Sequence, residues 1–400
     1  MLILLMARME QEAPGGSPVV RMNKVLRSSQ DFEKKQETPL TNSSKFDLTA
    51  GLADAKPKHG ESKGLILPGT TNQALEEELV DPNDLLLSDT ISLENLPADQ
   101  EESPDVQLYR AMAGSIRNLM DNTAVLDITL IADHAYKIIE GIRTGPGLLR
   151  LAMRPSYLEA FIGAHSVNIA ILSGLLTQAL KFDEQQQLRT VVGALVHDIG
   201  MSRLPPDILQ NQRELTPEEK EELRRHPGYG AQIIREQLGE NYEWLARVAL
   251  QEHERAQGQG YPNGLMVEYI DPCAQIIGML DVFEAFTHPR RQHEAASPSR
   301  IIRQIIESKD QLFSPIMIKA LLQAVSVYPI ETYVLLNNGQ TGRVIATNPK
   351  SPLRPWIELH TDHNQKALSQ LKNINLSETP VLSIIRALEP DEVKALPGEL

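Results

Sequence analysis

From Pro104 onward the apolar positions recur at helical spacing. Leu108, Met112, Ile116 and Leu119 share one face, and Ile128, Ile131 and Ile138 share one face of the next segment, before Gly145-Pro146-Gly147 breaks the pattern. From Pro155 to about Val327 the pattern predicts a run of helices joined by short loops. Phe161 to Leu180 is strongly apolar, with His165, Ile169, Leu172 and Leu176 on one face, so His165 points inward. Thr216-Pro217-Glu218-Glu219 forms a capping box with proline at the first helical position, and Pro227 predicts that this helix stops at His226. Tyr242 to His253 is the next predicted helix, with Leu245, Val248 and Glu252 on one face. Arg255 to Gly264 is a glycine-rich loop, and Pro272 opens an apolar helix in which Ile277, Asp281 and Glu284 are near neighbours. The period then changes. Tyr333–Leu336 and Gly342–Ala346 flank Asn337-Asn338-Gly339, a hairpin turn favouring positive φ, and Trp356–Leu359 reads as a third strand.

The expected fold is an all-α helical bundle with a disordered N-terminal tail and a small C-terminal β appendage. Residues 1–103 are rich in Ser, Thr, Pro, Gly, Lys and Glu, and Ser28 to Lys63 has almost no hydrophobic period, which predicts disorder. Leu85–Leu87 and Ile91–Leu96 could form a short docking segment there. Residues 104–154 form a helical extension, open as a dimerisation element, a regulatory element or a brace. The bundle occupies 155–327 and the β appendage 328–363. A C-terminal tail, 364–400, is polar apart from Val381–Leu388.

Charge and cysteine content narrow the function classes. The 400 residues carry a net charge of −14, which argues against a nucleic-acid polymer or an anionic membrane as partner. An anionic substrate needs local cations or metals here. The single cysteine, Cys273, excludes an intrachain disulfide framework and fits a reducing cytoplasm, where it reads as a core residue. Met1–Met6 is too short to span a bilayer, and Arg8, Glu10 and Glu12 follow too soon for a secretory signal. No later run has the apolar length of a membrane helix, so the expected compartment is the cytoplasm.

The chemistry gathers around Val191–Gly200, where an apolar helical run ends in His197-Asp198. One imidazole nitrogen and two carboxylate oxygens stand at one point, and a carboxylate can bridge two cations. His165, His226, His253 and Asp281 join them, with successive members 27 to 32 residues apart, close to one helix and its return. Such a period brings all six to one end of a shared core. Singly, each has a bland explanation: a lone inward histidine is usually a hydrogen-bonded core residue. Asp133-His134, with no ligand-type neighbour in sequence, reads as a solvated or capped pair. Together the six are hard to explain without metal. Four imidazoles and two carboxylates suit Fe, Mn, Zn or Co better than Ca or Mg alone, and are too many for one catalytic ion. Two ions clamp the attacking and leaving oxygens at phosphorus and lower the pKa of a shared water, so phosphoester hydrolysis is the expected reaction.

The chain also resembles the HD-GYP family of bacterial phosphodiesterases, a branch of the HD phosphohydrolases. The carrying residues are His197-Asp198-Ile199-Gly200, Leu215–Glu219, His226-Pro227 and Gly258-Gln-Gly-Tyr-Pro262. His165–Asn168 is similar to the family's first-ligand segment and Leu280-Asp281-Val282 to its last. The stretch from Tyr328, with Asn338-Gly339 and Gly342-Arg343-Val344, is similar to the β appendage that often follows. The resemblance implies hydrolysis of cyclic di-GMP to pGpG or GMP. It places His165, His197, Asp198 and Asp281 on one metal, with Asp198 bridging to a second held by His226 and His253. His197 and Asp198 are then the catalytic core, and Gly260, Tyr261 and Pro262 shape the substrate loop. Two divalent ions are expected, Fe or Mn, with a homodimer or a signalling protein as further partner.

Three departures bear on this expectation. Glu252 sits where the family has a ligand histidine; it can bind the same metals, but its charge raises the pKa of bound water and repels phosphate. Gln257 replaces a common Asp, and Met201 a common Lys that would contact phosphate. Arg203, Arg290 or Arg291 could take over that contact. Two other readings stay open: a catalytically impaired module that binds nucleotide or a protein, and a phosphohydrolase for a different cyclic dinucleotide.

Overall fold

The computed structural model describes residues 103–397 except 121–124, 155–160, 210–212, 214, 289–294, 308–311, 349–350 and 352. The expected N-terminal tail (all but its last residue), its docking segment, and Arg290 and Arg291 therefore lie outside the described residues.

Two helices, α1 (Pro104–Leu119) and α2 (Ile128–Thr144), open the described chain, followed by the short α3 (Gly147–Ala152). Ser103 caps α1 by accepting from the Val106 N–H, and Asp127 caps α2 by accepting from Thr129 and Leu130. The bundle core is α4 (Phe161–Ala179) and α5 (Glu184–Val196), then a 3₁₀ turn His197–Arg203 and one turn of helix, α6 (Pro206–Leu209). After these come α7 (Pro217–Leu223), α8 (His226–Leu238), α9 (Glu243–Gln251) and α10 (Pro272–Thr287), with α11 (Pro298–Glu307) and α12 (Pro315–Val325) closing the bundle. Apolar side chains of α1, α2, α4, α5, α8, α9, α10, α11 and α12 share one continuous core. The N-terminal helices are thus integral to the bundle. The expected capping box at Thr216 and Glu219 is present. Among the described residues no helix is long and apolar enough to cross a membrane.

Three local expectations need correction. His226 begins α8 rather than ending the helix from Pro217, and Arg224 and Arg225 intervene. Proline lacks an N–H that a first helical turn leaves unpaired anyway, so Pro227 starts a helix as readily as it stops one. Likewise α9 ends at Gln251, which leaves Glu252 and His253 in the turn beyond it. His134 is not a solvated partner of Asp133: it is buried on α2, while Asp133 pairs with Lys137 at 2.8 Å on the exposed face.

The C-terminal unit is larger than expected. Strands β1 (Tyr333–Leu336), β2 (Thr341–Ala346), β3 (Trp356–Thr361), β4 (Ala367–Asn375) and β5 (Ile384–Ala387) form an antiparallel sheet in the order β4-β3-β2-β1-β5. A last helix, α13 (Pro390–Lys394), follows. Residues 364–400, expected as a tail, thus supply two strands and a helix. β4 is an exposed edge strand, so its polar residues show no alternation to read in sequence. The hairpin turn has Gly339 at φ +85°, as the Asn-Asn-Gly sequence requires. Val334, Leu336, Val344, Ile357, Leu359 and Leu376 form the sheet's own core. Glu389 fastens the sheet to the bundle by accepting from the Ser297 N–H at 3.0 Å and the Ser297 hydroxyl at 2.8 Å.

Candidate metal centre

Side chains from five elements meet at one buried point. His165 comes from the inner face of α4, and His197 and Asp198 from the first residues of the 3₁₀ turn after α5. His226 opens α8, Glu252 and His253 follow α9, and Asp281 lies within α10. Two glycines permit the approach. A Cβ on Gly200 would stand 1.9 Å from the His226 carbonyl oxygen, and one on Gly278 would stand 2.0 Å from the Glu252 carbonyl oxygen. Backbones therefore touch where side chains would otherwise hold α8 and α10 away.

The ligand-type atoms fall into two groups. Asp198, His226, Glu252 and His253 form one, and His165, His197 and Asp281 the other, with the atoms of each group within 4.8 Å of one another. His226 Nε2 lies 3.4 Å from Asp198 Oδ1, while His197 Nε2 and His165 Nε2 lie 3.3 and 3.7 Å from Asp198 Oδ2. Asp198 thus presents one oxygen to each group. His165 Nε2 is 3.3 Å from Asp281 Oδ1, and the Nε2 atoms of His226 and His253 face each other at 3.1 Å.

The imidazoles are oriented from behind. His197 Nδ1 donates to the Ala194 carbonyl at 2.8 Å and His226 Nδ1 to the Leu223 carbonyl at 2.7 Å. His165 Nδ1 donates to Glu284 Oε2 at 2.6 Å. In each case the hydrogen sits on Nδ1 and the Nε2 lone pair faces the centre, the arrangement that metal-ligating histidines use.

Buried polar atoms at the centre lack partners. Among the described residues, His197 Nε2, Asp281 Oδ2 and both carboxylate oxygens of Glu252 are buried without a hydrogen-bond partner. Around Glu252 the imidazole nitrogens of His226, His197 and His253 stand 3.6, 3.8 and 3.8 Å away, beyond hydrogen-bond reach. A fully buried carboxylate without donors is costly unless something else neutralises it. The donor set of four imidazoles and three carboxylates fits divalent cations.

Protonation in the metal-free state follows the same geometry. Burial alone would depress the His197 imidazole, but Asp198, Glu252 and Asp281 hold it well above its ordinary value. Burial opposes protonation of His226 too, and Glu252 and Asp198 raise it nonetheless. Asp198 is held well below the ordinary carboxylate range by His197, His226 and His165, against the effect of burial. Burial raises Glu252, and burial together with His226 pushes His253 well down. Protons on His197 and His226 thus occupy places that cations would take.

The loop at the rim is pinned to the ligands. Glu254 accepts from the N–H groups of Asn263 at 2.7 Å and Leu265 at 2.8 Å. The Tyr261 N–H donates to the His253 carbonyl at 3.1 Å, and its ring stacks on the His253 imidazole with centroids 4.8 Å apart. A Cβ on Gly260 would stand 2.4 Å from the His253 carbonyl oxygen, so only glycine lets the loop close. Of the expected substrate contacts, Gly260 and Tyr261 border the centre through His253, and Pro262 follows them in the loop. Arg203 instead ion-pairs with Glu236 on α8. Met201 is buried in a satellite cluster with Leu204, Ile208, Leu215 and Leu223. Gln257 pairs with Met266 across the loop.

Sequence reasoning missed several contributors. Glu284 was visible only as a neighbour of Asp281, and Asn168 only within the His165–Asn168 segment. Asn168 Nδ2 donates to Glu284 Oε1 at 2.9 Å. Arg224 lies over the Tyr261 ring, 5.5 Å from its centroid, and its place beside His226 was the only hint. Tyr109, whose hydroxyl donates to Asn168 Oδ1 at 2.7 Å, carries no sequence signal at all.

Known proteins bear on this site. Residues 151–315 match the HD domain family, and residues 333–396 match the KOW domain associated with HD domain. The chain is 27% identical over 267 residues to the cyclic di-GMP phosphodiesterase PA4108 of Pseudomonas aeruginosa, covering 67% of this chain and 64% of that one. It is 30% identical over 176 residues to the cyclic di-GMP phosphodiesterase response regulator RpfG of Xanthomonas campestris, covering 44% and 47%. A 3'3'-cGAMP-specific phosphodiesterase 1 of Vibrio cholerae is 31% identical over 144 residues, covering 36% and 32%. The chain thus spans between about a third and just under two thirds of these relatives' lengths. By these matches residues 151–315 carry an HD domain and residues 333–396 the KOW domain associated with it, and the motifs at 197–200 and 258–262 are similar to those of the HD-GYP branch.

Proposed function

We propose that the chain is a metal-dependent phosphodiesterase that hydrolyses cyclic di-GMP to pGpG or GMP. The observation that carries this reading is the convergence of seven buried ligand-type side chains, Glu252 among them with both oxygens lacking a protein donor. His165, His197 and Asp281 would hold one divalent ion, Fe or Mn, and His226, Glu252 and His253 a second, with one Asp198 oxygen directed at each. When bound, two such ions supply Lewis acidity at the phosphodiester and make hydroxide available near neutral pH. The backs of His165, His197 and His226, tied to Glu284 and to two carbonyls, hold the rings so that Nε2 is the atom aimed at the centre. Tyr261, stacked on His253, offers a flat edge at the rim, and Arg224 above it offers charge to an anionic substrate. Relatives carry cyclic di-GMP and 3'3'-cGAMP names, which supports a cyclic dinucleotide as the substrate class.

An impaired module that binds nucleotide or a partner protein is the second reading. It is favoured by the third carboxylate, Glu252, and by Met201, buried in a satellite core where a phosphate-binding lysine was expected. Product analysis decides between them. Wild type and Asp198→Ala are loaded with Mn²⁺ or, anaerobically, Fe²⁺ and incubated with cyclic di-GMP and 3'3'-cGAMP. Appearance of the linear product with wild type alone supports the phosphodiesterase. Bound metal with no product from either substrate leaves the binding module.

A further inference from the structure

We propose that Tyr109, on a helix outside the matched HD domain, is a positioning residue for the metal ligand His165. The proposal rests on the metal-centre reading above. The Tyr109 hydroxyl donates to Asn168 Oδ1 at 2.7 Å, Asn168 Nδ2 donates to Glu284 Oε1 at 2.9 Å, and Glu284 Oε2 accepts from His165 Nδ1 at 2.6 Å. All four residues are at most 2% exposed, so water does not compete for these bonds.

Donor and acceptor types leave one direction for this chain. A carboxylate only accepts, so Glu284 must receive from both Asn168 and His165. The Asn168 amide then turns its NH₂ toward Glu284 and its carbonyl oxygen toward α1. That oxygen needs a donor, which the Tyr109 hydroxyl supplies. With the amide held, Glu284 is held, and the hydrogen on His165 stays at Nδ1. The Nε2 lone pair thereby faces the centre, beside Asp281 Oδ1 at 3.3 Å and Asp198 Oδ2 at 3.7 Å. Without the Tyr109 hydroxyl the Asn168 carbonyl oxygen loses its donor, the amide keeps only its Nδ2 contacts to Glu284 and, at 3.4 Å, to His288 Nε2, and Glu284 is held less firmly.

Close packing of α1 on α4 makes the reach possible. A Cβ on Gly163 would stand 2.1 Å from the Ala113 carbonyl oxygen, so a glycine on α4 admits the α1 backbone into direct contact. The matched HD domain begins at residue 151, whereas α1 spans Pro104–Leu119. The helical extension is therefore wired into the coordination sphere, and displacing α1 lowers metal occupancy.

The test is equilibrium Mn²⁺ binding to the full chain, read by the EPR signal of free Mn²⁺, together with melting of the metal-free proteins. Tyr109→Phe removes one oxygen and keeps the ring packing. We expect its Mn²⁺ Kd to rise about three- to tenfold, at or below the lower end of what loss of an outer-shell partner does. Glu284→Gln, one bond closer, raises Kd more. In the Glu284→Gln background Tyr109→Phe then adds less than about twofold, because both act through the same contact. A merely structural Tyr109 instead lowers the metal-free melting temperature and leaves Kd alone. An unchanged Kd in Tyr109→Phe overturns the proposal, as does an equal effect with and without Glu284. If wild type takes up no Mn²⁺, the metal-centre reading falls and this proposal with it, an outcome distinct from the other two.

Discussion

Replacing Glu252 by glutamine tests the centre through stability rather than turnover. The side chain is fully buried, both oxygens lack donors, and three imidazole nitrogens ring it at 3.6 to 3.8 Å. In the metal-free protein burial raises its pKa by more than His197 and His226 lower it, so the carboxylate is a net liability. A buried polar group without a partner costs about 1–3 kcal/mol, and more when charged. Glutamine keeps the shape, removes the charge and adds a donor. The metal-free variant should therefore be more stable than wild type by about 1 kcal/mol, a rise of about 2–4 °C in Tm for a domain of this size. Metal reverses the order. At a free Mn²⁺ concentration 100 times Kd, binding stabilises wild type by about 2.7 kcal/mol. If the neutral amide binds about a hundredfold more weakly, the same Mn²⁺ adds only about 0.4 kcal/mol. Scanning calorimetry with and without Mn²⁺, with metal content measured on the same samples, reads both effects. A variant that keeps the wild-type metal content and the full Mn²⁺-induced shift, with no gain in the metal-free state, would refute a ligand role for Glu252.

Four further outcomes follow from the same geometry. His197 and His226 have folded pKa values above the unfolded value of about 6.5, so their contribution to metal-free stability is complete below that pH and is lost as pH rises through the folded values. His253, depressed in the fold, acts in the opposite sense below pH 6.5; melting curves should show metal-free stability falling above about pH 6.5 while Mn²⁺-loaded protein gains, since Mn²⁺ needs those imidazoles deprotonated. Gly200→Ala pushes a Cβ into the His226 carbonyl and should cost about 1–3 kcal/mol together with metal content, measured by denaturant unfolding and elemental analysis. Arg224→Gln removes the cation over Tyr261 and should raise the KM for cyclic di-GMP roughly tenfold, about 1.4 kcal/mol, with kcat within twofold in steady-state assays. His134 is buried with neither ring nitrogen hydrogen-bonded among the described residues, so His134→Leu should raise the Tm, by about 1 kcal/mol of stability; a lower Tm in calorimetry contradicts this.

Helix periods and caps were legible because both are local. The Thr216–Glu219 capping box, the inward face bearing His165 and the proline opening α10 each depend on residues within a turn or two. Ligand types were legible too, since His197-Asp198 and the recurring histidines are chemistry written in residue identity. Helix ends near proline were not, because Pro227 permits a stop or a start and only packing of α8 against the 3₁₀ turn chose the start. β4 escaped notice because an edge strand with both faces wet has no alternating pattern.

The sequence by itself determined which side chains could coordinate a cation and, for His165 and Asp281, the helix that carries each. Tertiary structure alone decided that Asp198 presents one oxygen to each group, that Glu252 is left without donors, that Arg203 is held by Glu236, and that Tyr109 reaches His165 through Asn168 and Glu284. The reason is physical. Periodicity follows from the backbone geometry of one segment, whereas convergence depends on how closely different segments approach, and here that is set by contacts as small as the missing Cβ atoms of Gly163, Gly200 and Gly278.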